Sequence, residues 1–137
     1  LDAKFTSDYQ VCVVAGCTVP NVTVPAGSPI PGVPEHQGQL RLNWTPGAWA
    51  AALEAVGSSG LVANDIATVI SPGYLLFNAE AGRNWTFGQS QLRVFARLEN
   101  LLDKTYVGSV IVNEGNGRFF ESGPDLSATL GAQWRWN

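Results

Sequence analysis

From Leu126 the chain reads LSATLGAQWRWN, and apolar and polar residues alternate to its last position. Leu126, Ala128, Leu130, Ala132, Trp134 and Trp136 fall on one side. Ser127, Thr129, Gly131, Gln133, Arg135 and Asn137 fall on the other. A period of two predicts a β-strand with one apolar and one polar face. The same alternation sets Leu92, Val94, Ala96 and Leu98 against Arg93, Phe95, Arg97 and Glu99. It sets Leu75, Phe77, Ala79 and Ala81 against Tyr74, Leu76, Asn78 and Glu80. Trp49, Ala51, Leu53 and Ala55 oppose Ala50, Ala52, Glu54 and Val56, and Leu40, Leu42 and Trp44 oppose Gln39, Arg41 and Asn43. Leu1, Ala3 and Phe5 against Asp2, Lys4 and Thr6 read as the end of one further strand.

The strands are separated by connections of two kinds. Long, Pro- and Gly-rich loops are expected over about 7–35, 58–73 and 100–125, because prolines oppose both helix and central strand. Short links are expected at Thr45–Ala48, a Pro-Gly turn, and over 83–90. Regular alternation of long and short connections is the habit of transmembrane β-barrels, with short periplasmic turns and longer extracellular loops. The fold class expected is therefore all-β: an antiparallel transmembrane β-barrel segment of about six strands, the first incomplete. Six strands are too few to close such a barrel, and open edges are costly in lipid. The chain must join further strands or copies of itself.

Composition narrows the alternatives. Only 14% of the 137 residues are charged, below the roughly 25% of ordinary soluble domains. Hydrophobic residues make up 45%, yet no run approaches the roughly 18 apolar residues of a membrane helix. Eight Lys and Arg in a chain of net charge −3 form no basic stripe, so nucleic acid is not an expected partner. The chain begins mid-pattern on LDAKFT and contains no Met, which reads as a piece processed or cut from something longer.

All five Trp fall where the periplasmic end would be. Trp44 and Trp49 flank the first short turn, Trp85 lies in the second, and Trp134 and Trp136 close the last strand. This predicts an interfacial aromatic girdle. Arg41, Glu54, Glu80, Arg93, Arg97, Glu99 and Arg135 share the polar faces and become lumen-lining charges if the apolar face meets lipid. On this facing Val94→Arg should block assembly, and Phe95→Arg should be better tolerated. A soluble barrel with its apolar face inward would also accept these charges, so they do not discriminate alone.

Cys12 and Cys17 lie close together in a loop. A disulfide stapling that loop suits an oxidising compartment. Free thiols remain the alternative, and a metal site lacks ligands, the nearest His being His36. His36, between a proline-rich loop and a strand, suits a structural turn. Asp103, Glu114 and Glu121 read as solvated loop carboxylates, and no metal or cofactor is expected. Arg118, Phe119 and Phe120 form a possible ligand-facing stretch of the last long loop. One His, no nucleophile elbow and no phosphate loop leave no catalytic constellation, so enzyme activity is not expected.

Three motifs in order resemble those of TonB-dependent outer-membrane receptors. They are Pro34-Glu35-His36 ahead of a strand, Pro72-Gly73-Tyr74, and Asn100-Leu101-Leu102-Asp103-Lys104 with Tyr106. The VGSVIVNEGNGRFFE run looks most like a subgroup that includes quinone-cofactor and metal importers. The resemblance covers about residues 30–137. It implies a location in the bacterial outer membrane and a barrel of about 22 strands with a plugged lumen. It also implies uptake of a scarce small external ligand such as a ferric siderophore, metal complex or cofactor, driven through TonB. Residues 1–137 would be the C-terminal segment of that barrel, without the plug domain or the N-terminal part that meets TonB. Its partners would be outer-membrane lipid and the remainder of the barrel and plug. Two departures stand out: Asp125-Leu126 follows Gly123-Pro124 where the family commonly has an Arg, and Asn137 follows Trp136 where the family usually ends on an aromatic. The competing readings are a small self-assembling outer-membrane barrel with a structural or adhesive role, and a soluble β-barrel binding module.

Overall fold

A computed structural model describes residues 1–136. Asn137, assigned above to the polar face of the last strand, lies outside the described residues. Among the described residues the strands are β1 (Tyr9–Val11), β2 (Val22–Val24), β3 (Gln37–Trp44), β4 (Trp49–Ser58), β5 (Leu61–Val62) and β6 (Ile70–Ser71). They continue with β7 (Tyr74–Phe87), β8 (Ser90–Glu99), β9 (Val107–Val110), β10 (Phe120–Ser122) and β11 (Ser127–Trp136). No described residue is helical. Backbone contacts divide them into two compact units.

The strand unit holds residues 38–57, 75–105 and 124–136. Its five-stranded sheet runs in the order β11-β8-β7-β4-β3, so strands adjacent in this up-and-down path are neighbours in space. β8 pairs antiparallel with β7 on one side and β11 on the other. The five full strands expected are present in this sheet, and only the incomplete first one, over residues 1–6, does not join it. The β3–β4 turn closes by a bond from Trp49 N to Pro46 O of 3.1 Å. β7 and β8 are joined by only Gly88 and Gln89, because Phe87 already pairs with Ser90. The link expected over 83–90 is therefore mostly strand. Trp85 belongs to β7, opposite Leu92, and not to a turn.

Exposure on this sheet runs opposite to that of a soluble domain. On β4, Glu54 is 7% exposed and its neighbour Leu53 48%. On β7, Leu76, of the polar-face register, is 9% exposed and Leu75, of the apolar face, 49%. Leu130, on the apolar face of β11, is 83% exposed. On these central strands the polar face is the sheltered one and the apolar face is bare, while the edge strands β3 and β11 are exposed on both faces over most of their length.

The loop unit holds residues 1–37, 58–74 and 106–123. The three long connections are not featureless, as composition implied. Each carries a short antiparallel ribbon: β1–β2, β5–β6 and β9–β10. Residues 1–6 are not a strand. Lys4 makes a single bridge to Pro29 and pairs with Asp2 in solvent. Backbone bonds join Ala3 and Phe5 to Gly27, Ser28 and Ile30, but the pairing stops at this one bridge and does not extend into a strand. Val24 and Ala63 form the buried core of this unit. Cys12 and Cys17 are joined by a disulfide between β1 and β2, with Cα atoms 5.6 Å apart.

Candidate functional site

Two features carry chemistry, one in each unit. On the polar face of the sheet, four strands send charges to common partners. Glu54 of β4 accepts from Asn78 Nδ2 at 2.9 Å and from Gln39 Nε2, and pairs with Arg41 at 3.4 Å. Arg97 Nη2 lies 3.9 Å from the other Glu54 oxygen and 3.0 Å from Glu99. Glu80 joins Arg41 at 3.3 Å to Arg93 at 2.8 Å. Three guanidinium groups and three carboxylates form one nearly neutral lattice. Period-two geometry brings them together, since every member sits on the same parity of its strand. Burying Glu54 is tolerable only because each carboxylate oxygen has donors. Arg135 shares the face, opposite Gln91, and makes no ion pair among the described residues.

This lattice continues into a clasp that sequence reading matched as a motif without a reason. Asn78 Oδ1 accepts from Asn100 N at 3.0 Å. The buried Asn100 side chain donates to Lys104 O and Pro124 O at 2.9 and 3.1 Å and accepts from Lys104 N at 3.0 Å. Asp103 Oδ1 accepts from Leu126 N at 2.9 Å. Asn100 and Asp103 both have positive φ, 52° and 48°, a region Asn and Asp enter more readily than other side chains. The Asn-Leu-Leu-Asp-Lys segment is thus the fastening that turns the chain from β8 towards β11.

In the loop unit, a cavity of about 400 Å³ is lined by Cys12, Val14, Asp65, Thr68, Glu114 and Phe119 among others. Two carboxylates and an aromatic ring share its wall. Asn113 stitches this unit together: its N donates to Ala63 O and its Oδ1 accepts from Asp65 N, both at 2.9 Å. Burial and a hydrogen bond to Asp65 hold the Tyr9 phenol above its ordinary pKa. Of the stretch expected to face a ligand, Phe119 lines the cavity. Phe120 lies in β10 with its ring 6.3 Å from that of Phe119, and Arg118 is exposed. His36 exchanges backbone bonds with Ser59, donating to Ser59 Oγ at 3.2 Å and accepting from Ser59 N at 2.8 Å. Tyr74 of the Pro-Gly-Tyr motif packs its ring 5.0 Å from Tyr106. The Tyr106 ring in turn lies where a Cβ on Gly123 would stand, 2.1 Å from its Cζ. Two motif tyrosines and Gly123 thus meet in one contact. Among the described residues, no three His, Cys, Asp or Glu side chains gather as metal ligands.

The Trp residues occupy the turn end of the strand unit. Trp44 ends β3, Trp49 begins β4, and Trp85, Trp134 and Trp136 lie within the last three residues of β7 and β11. Trp85 and Trp134 both pair with Leu92, and Trp134 stacks on Phe87 with ring centres 6.1 Å apart.

A sheltered polar face, a bare apolar face, an aromatic band at the turns and long connections at the other strand ends define a piece of a transmembrane β-barrel. The family model described as "TonB dependent receptor-like, beta-barrel" matches residues 3–101, and the chain belongs to that family. The barrels of this family of receptors and transporters reside in the bacterial outer membrane. The structure is similar to the crystal structure of the ferric citrate transporter FecA in its unliganded form. The TM-score is 0.68 at 20% identity, over 78% of this chain and 17% of that one. The chain thus spans about a sixth of the length of that relative, and the likeness concerns fold.

Proposed function

We propose that this chain is the C-terminal barrel segment of an outer-membrane receptor that takes up a scarce external ligand, with transport driven through TonB. The observation that carries the reading is the inverted exposure of β4 and β7, where Glu54 and Leu76 are sheltered and Leu53 and Leu75 are bare. A soluble binding module would bury those leucines, so this feature weighs against that alternative. On this reading Arg41, Glu54, Glu80, Arg93, Arg97, Glu99 and Arg135 line the lumen. The Trp band lies at the periplasmic interface, and the loop unit is extracellular. Its cavity between Asp65, Glu114 and Phe119 suits a ligand with cationic and aromatic or apolar parts, and a metal complex or cofactor of that kind is the favoured cargo. The rest of the barrel, the plug and TonB supply what these residues lack. The test is growth and uptake. Cells whose gene for the full receptor lacks the segment encoding β11 should lose both the folded receptor and uptake of the limiting nutrient, and restoring it should return both. Uptake that persists without β11 would overturn the assignment.

A further inference from the structure

One charge on the sheet is on the other face. Arg83 sits on β7 in the register of Ala79, Ala81, Trp85 and Phe87, opposite Val94 of β8. Its guanidinium carbon lies 5.1 Å from the ring centre of Trp49 and 5.2 Å from that of Trp85. Its Nε is buried with no hydrogen-bond partner, and Arg83 makes no ion pair among the described residues. The arginines of the polar-face lattice have carboxylates. Arg83 has only two indoles, which hold a cation by their faces and offer no oxygen to accept its protons.

What completes it is constrained by strand order. β7 is the central strand, with β4 and β8 beside it and β3 and β11 beyond them. Strands that close the barrel attach outside β3 or β11, three spacings and roughly 14 Å away at about 4.8 Å per strand. A plug would lie against the polar face. Only the bilayer meets the outward side of Arg83. The residue lies four positions before Phe87 at the turn. At about 3.3 Å per residue and a tilt near 40°, that places its backbone about 10 Å from the turn, within reach of the interfacial zone for a long side chain.

We propose that Arg83, clamped between Trp49 and Trp85, is a binding site for the phosphodiester of a phospholipid in the leaflet at the turn end. The two terminal Nη groups, not the buried Nε, present the fork to two phosphate oxygens, which accept from their N–H donors, and the indoles cover the glycerol and upper acyl carbons. This inference rests on the reading that the apolar face meets lipid. The turn-end band is then a point of lipid recognition as well as an anchor of depth.

The test uses the full receptor in nanodiscs doped with a phosphatidylglycerol carrying a diazirine near the head of one acyl chain. After irradiation, labelled peptides are mapped in the wild type, Arg83→Gln and Arg83→Lys, each first shown to fold by its heat-dependent gel shift. In the wild type, label is expected in the β7–β8 hairpin and in the β11 peptide containing Leu130. In Arg83→Gln the hairpin label should fall by about threefold or more while the β11 label persists, and Arg83→Lys should fall between. Equal hairpin labelling in wild type and Arg83→Gln would overturn the site while leaving the lipid-facing reading intact. Absence of label from both peptides in the wild type would remove that reading and the site with it. Millimolar inorganic phosphate should leave the hairpin label unchanged; loss of label would reassign the site to free phosphate and overturn the lipid.

Discussion

The ring of Phe95 covers Gly131, so that a Cβ on that glycine would stand 2.3 Å from Phe95 Cζ. The two residues are direct partners across β8 and β11, and Gly82 of β7 is the partner of Phe95 on its other side. The ring thus leans over Gly131 alone, while a Cβ on Gly82 would meet the base of the same side chain, Phe95 Cβ, at 3.1 Å. Arg93 lies over the same ring, 5.3 Å from its centre. Gly131→Val should force the ring off this position and cost the folded receptor about 2 kcal/mol, the usual scale of overpacking. Gly131→Val combined with Phe95→Ala should recover part of the loss. Urea midpoints of the receptor in lipid vesicles measure both, and a Gly131→Val midpoint equal to wild type would contradict the packing.

Glu54 is the node of the polar-face lattice. Glu54→Ala removes the shared acceptor of Gln39, Arg41 and Asn78 and should cost about 3 kcal/mol, as for a sheltered pair that loses one partner. Glu99→Ala removes only an exposed partner of Arg97 and should cost less than about 1 kcal/mol. The same urea titration ranks them, and similar costs would mean that the lattice has no centre.

Lipid and polar faces are distinguished by a matched pair on β11. Leu130→Arg places a charge on the bare apolar face and should cost about 2–4 kcal/mol near midplane, seen as loss of the folded, heat-modifiable band from outer-membrane fractions. Ser127→Arg lies opposite Glu99 on the other face and should assemble nearly normally. Equal assembly of the two variants would refute the facing. Val94→Arg should also fail, because it sets a second guanidinium opposite Arg83.

Cys12 and Cys17 close a loop with a sequence separation of 5. A ring that short contributes about 2 kcal/mol by loop-closure entropy, confined to the β1–β2 ribbon. Alkylation of unreduced receptor should add no mass at these positions. Cys12→Ser with Cys17→Ser should leave the barrel folded while protease cuts appear between Val11 and Val22. Cuts that do not increase would show that the ribbon holds without its staple.

The long strands were legible because a membrane sheet separates its faces by hydropathy at every second residue. β8 and β11 carry that signal over their whole length. The end of β7 was hidden by one residue. Trp85 and Phe87 continue the alternation with Asn84 and Thr86, but Arg83 breaks it, and the break reads as a turn. Residues 1–6 mislead in the opposite way, since their partner, residues 27–30 of the following loop, is too short to extend the pairing beyond one bridge. The ribbons of the loop unit have strands of two to four residues, too short to show a period. Alternation places Phe95 on the polar face but says nothing of Gly131 under its ring, so Phe95→Arg is expected to be more damaging than hydropathy implies. The Asn100 clasp left only a motif in the sequence. Its cause, an αL turn with a buried amide, depends on Pro124, far along the chain.

The stitch made by Asn113 has a kinetic consequence. Its two bonds tie the connection after β4 to the one after β8, and Gly32 N reaches Val62 O at 2.9 Å to tie in the first. Three flaps fastened in this way open together or not at all. On the proposed receptor reading, a ligand arriving from outside would meet a door with one leaf, whose opening rate is set by the slowest fastening and not by the freedom of any single loop.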